Sequence, residues 1–486
     1  MNKNLEKFEK AKATFLDGLN LFQKEDYILA EKKFLESLDL MPDRLSIIQN
    51  LIAVYIKIND KDKLREILKK YNHLSNEKEI LYGIAYNHFF DERYSESITL
   101  CKKLIKDKDL RYSIIDLLAS NYKKNKLFLD ALKIYKEKLR EKKDYLIFYN
   151  IGCLFRDIGR THKAIYYFNK SIKYKKVDIP NLWNLSLCHL RLGNLEKGFS
   201  LYEYRWLKKD DPPKKKFKEL QSPINIDEIK NKNILISDEQ GLGDTIQFSR
   251  FVIELLIYTK KITFVVNSKL IDLLKHLNKD IKIIDYENVK LDTFDYHLSL
   301  CSLPKFLNIR KLEDINYHLL NIGSQNKVEL EKKNKFNVGI CWSGNPNYAF
   351  DEYRSIPFKK IKNIFSTKEI DFYKLSQNTE SQKSLEFSSI PNLINFGNKS
   401  IYELSQILHE LDLVVSSDTS IIHLAGILNI KSILLLNYNS DWRWFTDKNK
   451  TIWYPSITII KQEKFNTWEG VFERLEKKLK NLSTDK

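Results

Sequence analysis

Ile234-Leu-Ile-Ser-Asp-Glu-Gln-Gly-Leu-Gly-Asp-Thr-Ile-Gln-Phe248 is the stretch that decides the fold. Residues 234–236 form an apolar run of strand length. Gly241 and Gly243 interrupt it, and an apolar periodicity starts again at Ile246. The expected order is strand, glycine turn, helix. Glycine permits backbone angles and close approaches that a side chain forbids. A helix start offers unpaired N–H groups to an anion or polar ligand. Asp244 stands at that start, where a carboxylate can serve as cap or as general base.

Upstream of this stretch the chain is repetitive. Gly18, Ala85, Ala119, Gly152 and Ser186 are small residues, and each is followed twelve positions later by another: Ala30, Ser97, Ala131, Ala164 and Gly198. Four residues further on stand Phe34, Cys101, Tyr135, Phe168 and Tyr202. Repeat starts at 11, 45, 78, 112, 145 and 179 give spacings of 34 or 33 residues, the second unit being degenerate with Ile52, Leu64 and Leu68. That period, with Pro42 closing the first unit, resembles the tetratricopeptide repeat, two antiparallel helices per unit, over residues 11–212. Stacked repeats leave a long concave face, expected to bind a protein or peptide; the alternative is an array that only braces the next domain or mediates self-association. The aromatics Tyr166, Tyr167 and Tyr202-Glu-Tyr-Arg-Trp206 read as packing.

Lys208-Lys-Asp-Asp-Pro-Pro-Lys-Lys-Lys216 ends the last helix and opens a linker, 213–230, whose lysines are expected in solvent. Beyond it, strand and helix patterns alternate. A first α/β domain is expected over 231–330, with strands at 234–236, 262–266, 281–284 and 295–300. A second is expected over 336–480, with strands at 338–342, 371–375, 393–396, 411–415 and 432–436. Ligands of open α/β sheets lie at the carboxyl ends of strands. Those ends carry Gly241 to Asp244, Ser343-Gly-Asn345, Gln377 and Ser416-Ser-Asp-Thr419. Two such units facing each other would form a cleft for a small molecule.

Three segments carry a further resemblance: Asp238 to Phe248, Asp418-Thr-Ser-Ile-Ile-His-Leu-Ala-Gly426, and Asp441-Trp-Arg-Trp444 with Trp453-Tyr-Pro455. Together they resemble bacterial repeat-containing glycosyltransferases whose catalytic part is heptosyltransferase-like (family 9-like). The resemblance implies an α-helical tetratricopeptide repeat solenoid followed by a GT-B fold of two facing Rossmann-like α/β domains, the first on the acceptor side and the second on the nucleotide-sugar side. It also implies inverting, metal-independent transfer of a sugar from a nucleotide-sugar, with no cofactor.

On this reading Asp244 matches the family's catalytic aspartate and takes the proton of the attacking hydroxyl; capping its helix is compatible with that. Arg354, in Asp351-Glu-Tyr-Arg-Ser-Ile-Pro357, stands where the family carries a basic residue near the departing diphosphate. The heptose enzymes commonly have lysine there. The helix after Ser416-Ser417-Asp418-Thr419 points its N–H groups at the turn, which suits a pyrophosphate. Thr419 could donate a hydroxyl hydrogen bond, and His423 could donate from a ring nitrogen or pack structurally against the first domain. Asp418 would cap the helix or accept from a sugar hydroxyl. Trp342, Gly344 and Asn345 would shape the nucleotide side, and Gln377 would read the base or ribose. Asp441-Trp-Arg-Trp444 is either a clasp over the donor or interdomain packing.

Bulk properties set the frame. A chain of 486 residues needs several domains, and 43% hydrophobic with 30% charged residues is a globular composition. The net charge of +18 is spread over the whole chain with no compact basic motif, so no specific nucleic-acid recognition is expected. Cys101, Cys153, Cys188, Cys301 and Cys341 form no CxxC pair and read as free thiols of a cytoplasmic protein. No signal peptide and no apolar run of membrane-spanning length is seen, which leaves peripheral membrane contact open. The acceptor could be a protein on the repeats or a cell-envelope glycan. The competing function is a non-catalytic, repeat-based interaction scaffold that retains its α/β part.

Overall fold

The computed structural model describes residues 3–106, 111–208, 216–322, 335–346, 351–376, 390–445, 451–465 and 467–484. The chain forms two compact units, Met1–Leu154 and Phe155–Lys486.

The repeats are helix pairs. Their helices are α1 (Lys3–Gln23), α2 (Tyr27–Leu40), α3 (Leu45–Lys57), α4 (Lys61–Lys70), α5 (Lys78–Phe90), α6 (Tyr94–Leu104), α7 (Arg111–Lys124), α8 (Phe128–Glu141), α9 (Tyr145–Asp157), α10 (Thr161–Tyr174), α11 (Ile179–Arg191) and α12 (Leu195–Tyr202). The small and aromatic positions of the period fall where these helices close. Ala30, Ser97, Ala131 and Ala164 are fully buried, and so are Phe34, Cys101 and Phe168. A Cβ at Gly18 would lie 2.6 Å from the Phe34 ring, and one at Gly198 would lie 2.5 Å from Leu190. Only a small residue fits at either place.

The turn inside each repeat is built the same way. Glu25, Asn59, Glu92, Lys126, Gly159 and Gly193 all take a positive φ, between 58° and 78°. The next residue donates its N–H to a carbonyl five positions back: Asp26 to Leu21, Asp60 to Tyr55, Arg93 to His88, Leu127 to Tyr122, Arg160 to Phe155 and Asn194 to His189. This is the Schellman closure of a helix C-terminus. Its spacing alternates between 34 and 33 residues, in register with the repeat, so the turns themselves define a tetratricopeptide-like array. Glycine fills only the last two of these six positions.

The second unit holds two parallel sheets. The first is β1 (Ile234–Ser237), β2 (Ile262–Val265), β3 (Ile281–Ile284) and β4 (Tyr296–Ser299), in the order β3-β2-β1-β4. The second is β5 (Phe336–Cys341), β6 (Ile370–Lys374), β7 (Leu393–Asn395), β8 (Leu413–Ser417), β9 (Ser432–Leu436) and β10 (Ile457–Lys461), in the order β10-β9-β8-β5-β6-β7. Every pairing in both is parallel. Read from β7, the second sheet has the strand order of a doubly wound, Rossmann-like sheet, and the first carries the matching four-strand part. Each has a switch point, between β1 and β4 and between β5 and β8. Strands β1, β5, β8 and β9 are buried along their whole length and largely apolar, as inner parallel strands covered on both faces must be. The edge strands β3 and β7 are more exposed.

Helices α13 (Leu242–Glu254), α14 (Ile401–His409), α15 (Ser420–Ile427) and α16 (Glu469–Thr484) connect or cover the strands. One core joins α12, the first sheet, α13, α15 and the aromatics Trp442, Trp444 and Trp453. Strand β10 and helix α16 were not among the elements expected from patterning. The run 457–460 is short and follows a Trp-Tyr-Pro turn, and only its pairing with β9 makes it a strand.

Candidate functional site

The side chains of the loop after β1, Asp238, Glu239 and Gln240, are all engaged by other protein groups. Asp238 accepts from the Asn267 backbone N–H at 2.7 Å, from Lys216 Nζ at 2.9 Å and from the Tyr286 hydroxyl. Lys216, expected in solvent, is therefore anchored, with its ammonium 3.9 Å from the centre of the Tyr286 ring. Glu239 receives a bidentate pair from Arg205 at 2.6 and 2.9 Å. Arg205 is 1% exposed and also donates to Glu203 and Ser302. Gln240 donates to the Tyr202 hydroxyl at 2.7 Å. Glu239 follows β1 and Ser302 follows β4, so Arg205, just after the last repeat helix, bridges the two strand ends that flank the first sheet's switch point. Glu239 and Gln240 thus join the end of the last repeat to the sheet, and Asp238 holds Lys216 of the linker.

Helix α13 begins at Leu242, four residues earlier than the apolar periodicity predicts. The periodicity misses this turn because Gly243 meets another helix in place of an apolar core. A Cβ there would lie 2.9 Å from His423 Cδ2 and 3.4 Å from the Ser420 Cα. Asp244 accepts from the Gly241 N–H at 2.9 Å through one oxygen and from Arg443 through the other. It is both cap and ion-pair partner.

The second sheet's switch point is built from β5 and β8. Arg354 donates to Asp351 at 2.8 Å and to the Asp418 carbonyl at 3.2 Å. Gly344 donates its N–H to Ser355, which donates to Asp351. A Cβ on Gly344 would come within 2.5 Å of the Arg354 guanidinium, so this glycine makes room for the arginine. Asn345 is exposed beside it. The Thr419 hydroxyl turns inward, 3.0 Å from Ser416 Oγ and 3.5 Å from Cys341 Sγ. Ser417 Oγ is buried and has no hydrogen-bond partner among the described residues. Gln377 lies outside the described residues.

His423 is buried, with Nδ1 3.0 Å from the Tyr454 hydroxyl and its ring stacked on Trp444 at 5.2 Å. Burial, and then Arg443, Arg250 and Arg354, hold its pKa well below the usual histidine range, so the ring is neutral. Burial and the neighbouring Asp441 carboxylate push the half-buried Asp418 carboxyl up to about 7. The shared neighbours of Asp418 and His423, Arg443 and Arg354, place all four in one electrostatic cluster, with Asp244 joined through Arg443.

Arg443 is the residue that sequence reading did not single out. It bonds Asp441 at 2.8 Å as well as Asp244, and its guanidinium carbon lies 4.5 Å from the Trp442 ring centre. Burial alone would lower its pKa, but Asp244 and then Asp441 outweigh that and hold it above the usual arginine value. Trp453 Nε1 donates to its carbonyl at 2.7 Å. Two residues on, Phe445 holds φ at 55°, a strained value for an aromatic residue. The signal in sequence was an arginine between two tryptophans, but nothing local pointed it at a carboxylate 199 residues away.

Among the described residues no group of three or more His, Cys, Asp or Glu could hold a metal ion, and no helix is long and apolar enough to cross a membrane. None of the five cysteines forms a disulfide with another.

No protein-family model matches the chain, and no curated protein matches it. Solved structures similar to it include PilW, a type IV pilus biogenesis factor, at 18% identity and a TM-score of 0.35, covering 40% of this chain and 91% of that one. Another is PilF of Pseudomonas aeruginosa, at 15% identity and 0.33, covering 42% and 91%. A third is a tetratricopeptide repeat protein of Parabacteroides merdae, at 14% and 0.32, covering 42% and 81%. With each TM-score below 0.5, the repeat assignment rests on this chain's own turns and helix pairs.

Proposed function

We propose that the second unit is a GT-B glycosyltransferase that moves a sugar from a nucleotide-sugar to an acceptor hydroxyl, with inversion and without a metal. The observation that carries this reading is the Asp244–Arg443 pair. It sets a carboxylate from the first sheet's carboxyl end against a guanidinium that follows β9 of the second.

In the reaction, the acceptor oxygen attacks the anomeric carbon while the bond to the diphosphate breaks. The acceptor proton passes to Asp244. The diphosphate leaves with both electrons of the broken bond, stabilised by Arg443, Arg354 and the N–H groups at the start of α15. Arg443 changes partner as the donor binds, from Asp244 to phosphate, and so frees the base. His423, neutral and stacked on Trp444, positions the wall of the site and carries no charge to the phosphate. The repeats present the acceptor, a protein or peptide, and cysteines outside any disulfide suit a reducing cytoplasm.

The test is a thermal-shift screen of nucleotide-sugars, followed by donor turnover for wild type and Asp244→Asn. Turnover of one donor that is lost in the variant supports the reading. Failure of every donor to bind or turn over, with peptide binding intact, leaves the repeat-based scaffold as the function.

A further inference from the structure

A cavity of about 290 Å³ lies where α11 and the turn before α10 meet the carboxyl ends of β9 and β10. It shares no residue with the Asp244 cluster. Three cations line it, Arg160, Arg191 and Lys461, with the polar groups of Asn439, Ser440 and Gln462, and no aspartate or glutamate does. Arg191, in the last turn of α11, is the informative one. Its hydrogen bonds among the described residues go to Asn439 Oδ1 at 2.5 Å and to the Ser440 carbonyl, both neutral acceptors.

A buried guanidinium whose hydrogen bonds go to neutral groups is incompletely compensated: the carboxylates that act on it, Asp441 and Asp157, are hydrogen-bonded by Arg443 and Arg156 instead. Burial lowers the Arg191 pKa, in keeping with that environment. Gly159 forms one wall at φ +73°, where a Cβ would meet the Tyr438 ring at 3.3 Å, so the space depends on glycine there. We propose that this cavity binds the oxyanion of a small ligand, a phosphate or carboxylate group, with Arg191 as its fixed partner and Arg160 at the rim. A delocalised, planar guanidinium suits either anion.

Isothermal titration of the full chain at low ionic strength tests this, with inorganic phosphate, diphosphate and acetate as separate probes. Saturable binding is expected for at least one probe, and the tightest assigns the anion as phosphate or carboxylate. Arg191→Gln is expected to weaken it about ten- to a hundredfold, as loss of a charged hydrogen-bond donor does. Arg160→Glu, on an exposed turn, weakens it about tenfold by placing like charge at the rim. This second variant decides the matter if circular dichroism shows that Arg191→Gln does not fold. No saturable binding by any probe overturns the proposal. So does binding that survives the folded variants unchanged, which would place the anion elsewhere.

Discussion

Arg443 donates to Asp244, so a guanidinium after β9 of the second sheet neutralises a carboxylate beyond β1 of the first. The pair is nearly out of solvent, with side-chain exposures of 10% and 22%. A carboxylate held this way is unavailable as a base until its partner finds another anion.

Asp244→Asn keeps the cap at Gly241 and removes the base. Donor turnover is expected to fall by about 10²- to 10⁴-fold, the usual contribution of a positioned general base. Donor affinity, measured by titration, should change little or improve, because Arg443 is no longer tied to a carboxylate. A variant with wild-type turnover would remove Asp244 from the chemistry.

Gly243 and Gly241 differ in what surrounds them. Ala at 243 puts a Cβ against His423 and the Ser420 backbone, which is expected to cost about 1–3 kcal/mol as overpacking. At 241 the nearest atom is an Asp244 oxygen at 3.3 Å and φ is −93°, so Ala should be far milder. Thermal midpoints of the two variants check this. Equal losses would mean that the loop, and not the helix contact, sets the requirement.

Arg205 and Glu239 form a buried bidentate pair, with side-chain exposures of 1% and 5%. Arg205→Ala leaves Glu239 buried without its partner, and a loss of about 3–5 kcal/mol is expected. The double variant Arg205→Met, Glu239→Leu removes both charges and should regain much of it. Urea midpoints of the second unit provide the readout. A double variant as unstable as Arg205→Ala would argue that the arginine matters for its contacts with Tyr202 and Trp206 instead.

The repeat turns offer a stabilising change. Glu92 and Lys126 are exposed, take left-handed backbone angles and have no side-chain hydrogen bond to lose among the described residues. That conformation costs an L-residue roughly 1–2 kcal/mol. Part of the gain from glycine is offset by the greater freedom it gives the unfolded chain. Glu92→Gly and Lys126→Gly should each raise stability by about 0.5–1 kcal/mol in urea melts of the full chain. Destabilisation by both would contradict the turn assignment.

The Asp418 carboxyl, raised to about 7 from an ordinary 3.8, gives a pH dependence. Between those values the folded protein keeps a proton that the unfolded chain has released. The stability this contributes is complete below about 4 and is lost as pH rises through about 7. His423, held neutral by burial and by nearby arginines, acts in the opposite sense. The comparison with Asp418→Asn isolates the first effect. The wild-type midpoint should fall relative to the variant as pH goes from about 4 to about 8, and a constant difference would show that Asp418 does not titrate in this range.

The sequence by itself determined the helical repeats, their 34- and 33-residue period and most strands of both sheets. These follow from local rules. A small residue must recur wherever two helices close, as at Gly18 against Phe34, and a buried parallel strand reads as an apolar run. Polar residues and glycines that interrupt apolar runs at strand ends also drew attention to Asp244 and Asp418, whereas Arg354 came only from the glycosyltransferase resemblance and His423 from its place one turn into the following helix. What only the tertiary structure decided is who meets whom. Asp238, Glu239 and Gln240 looked like the approach to a ligand loop, yet they bind Lys216, Arg205 and Tyr202. Arg443 gained its role from Asp244, 199 residues earlier, and Gly243 from His423. Periodicity fixes which face of an element is buried. It carries no information on which distant charge or ring will lie against that face, and that is settled only when the strands pair and the sheets pack.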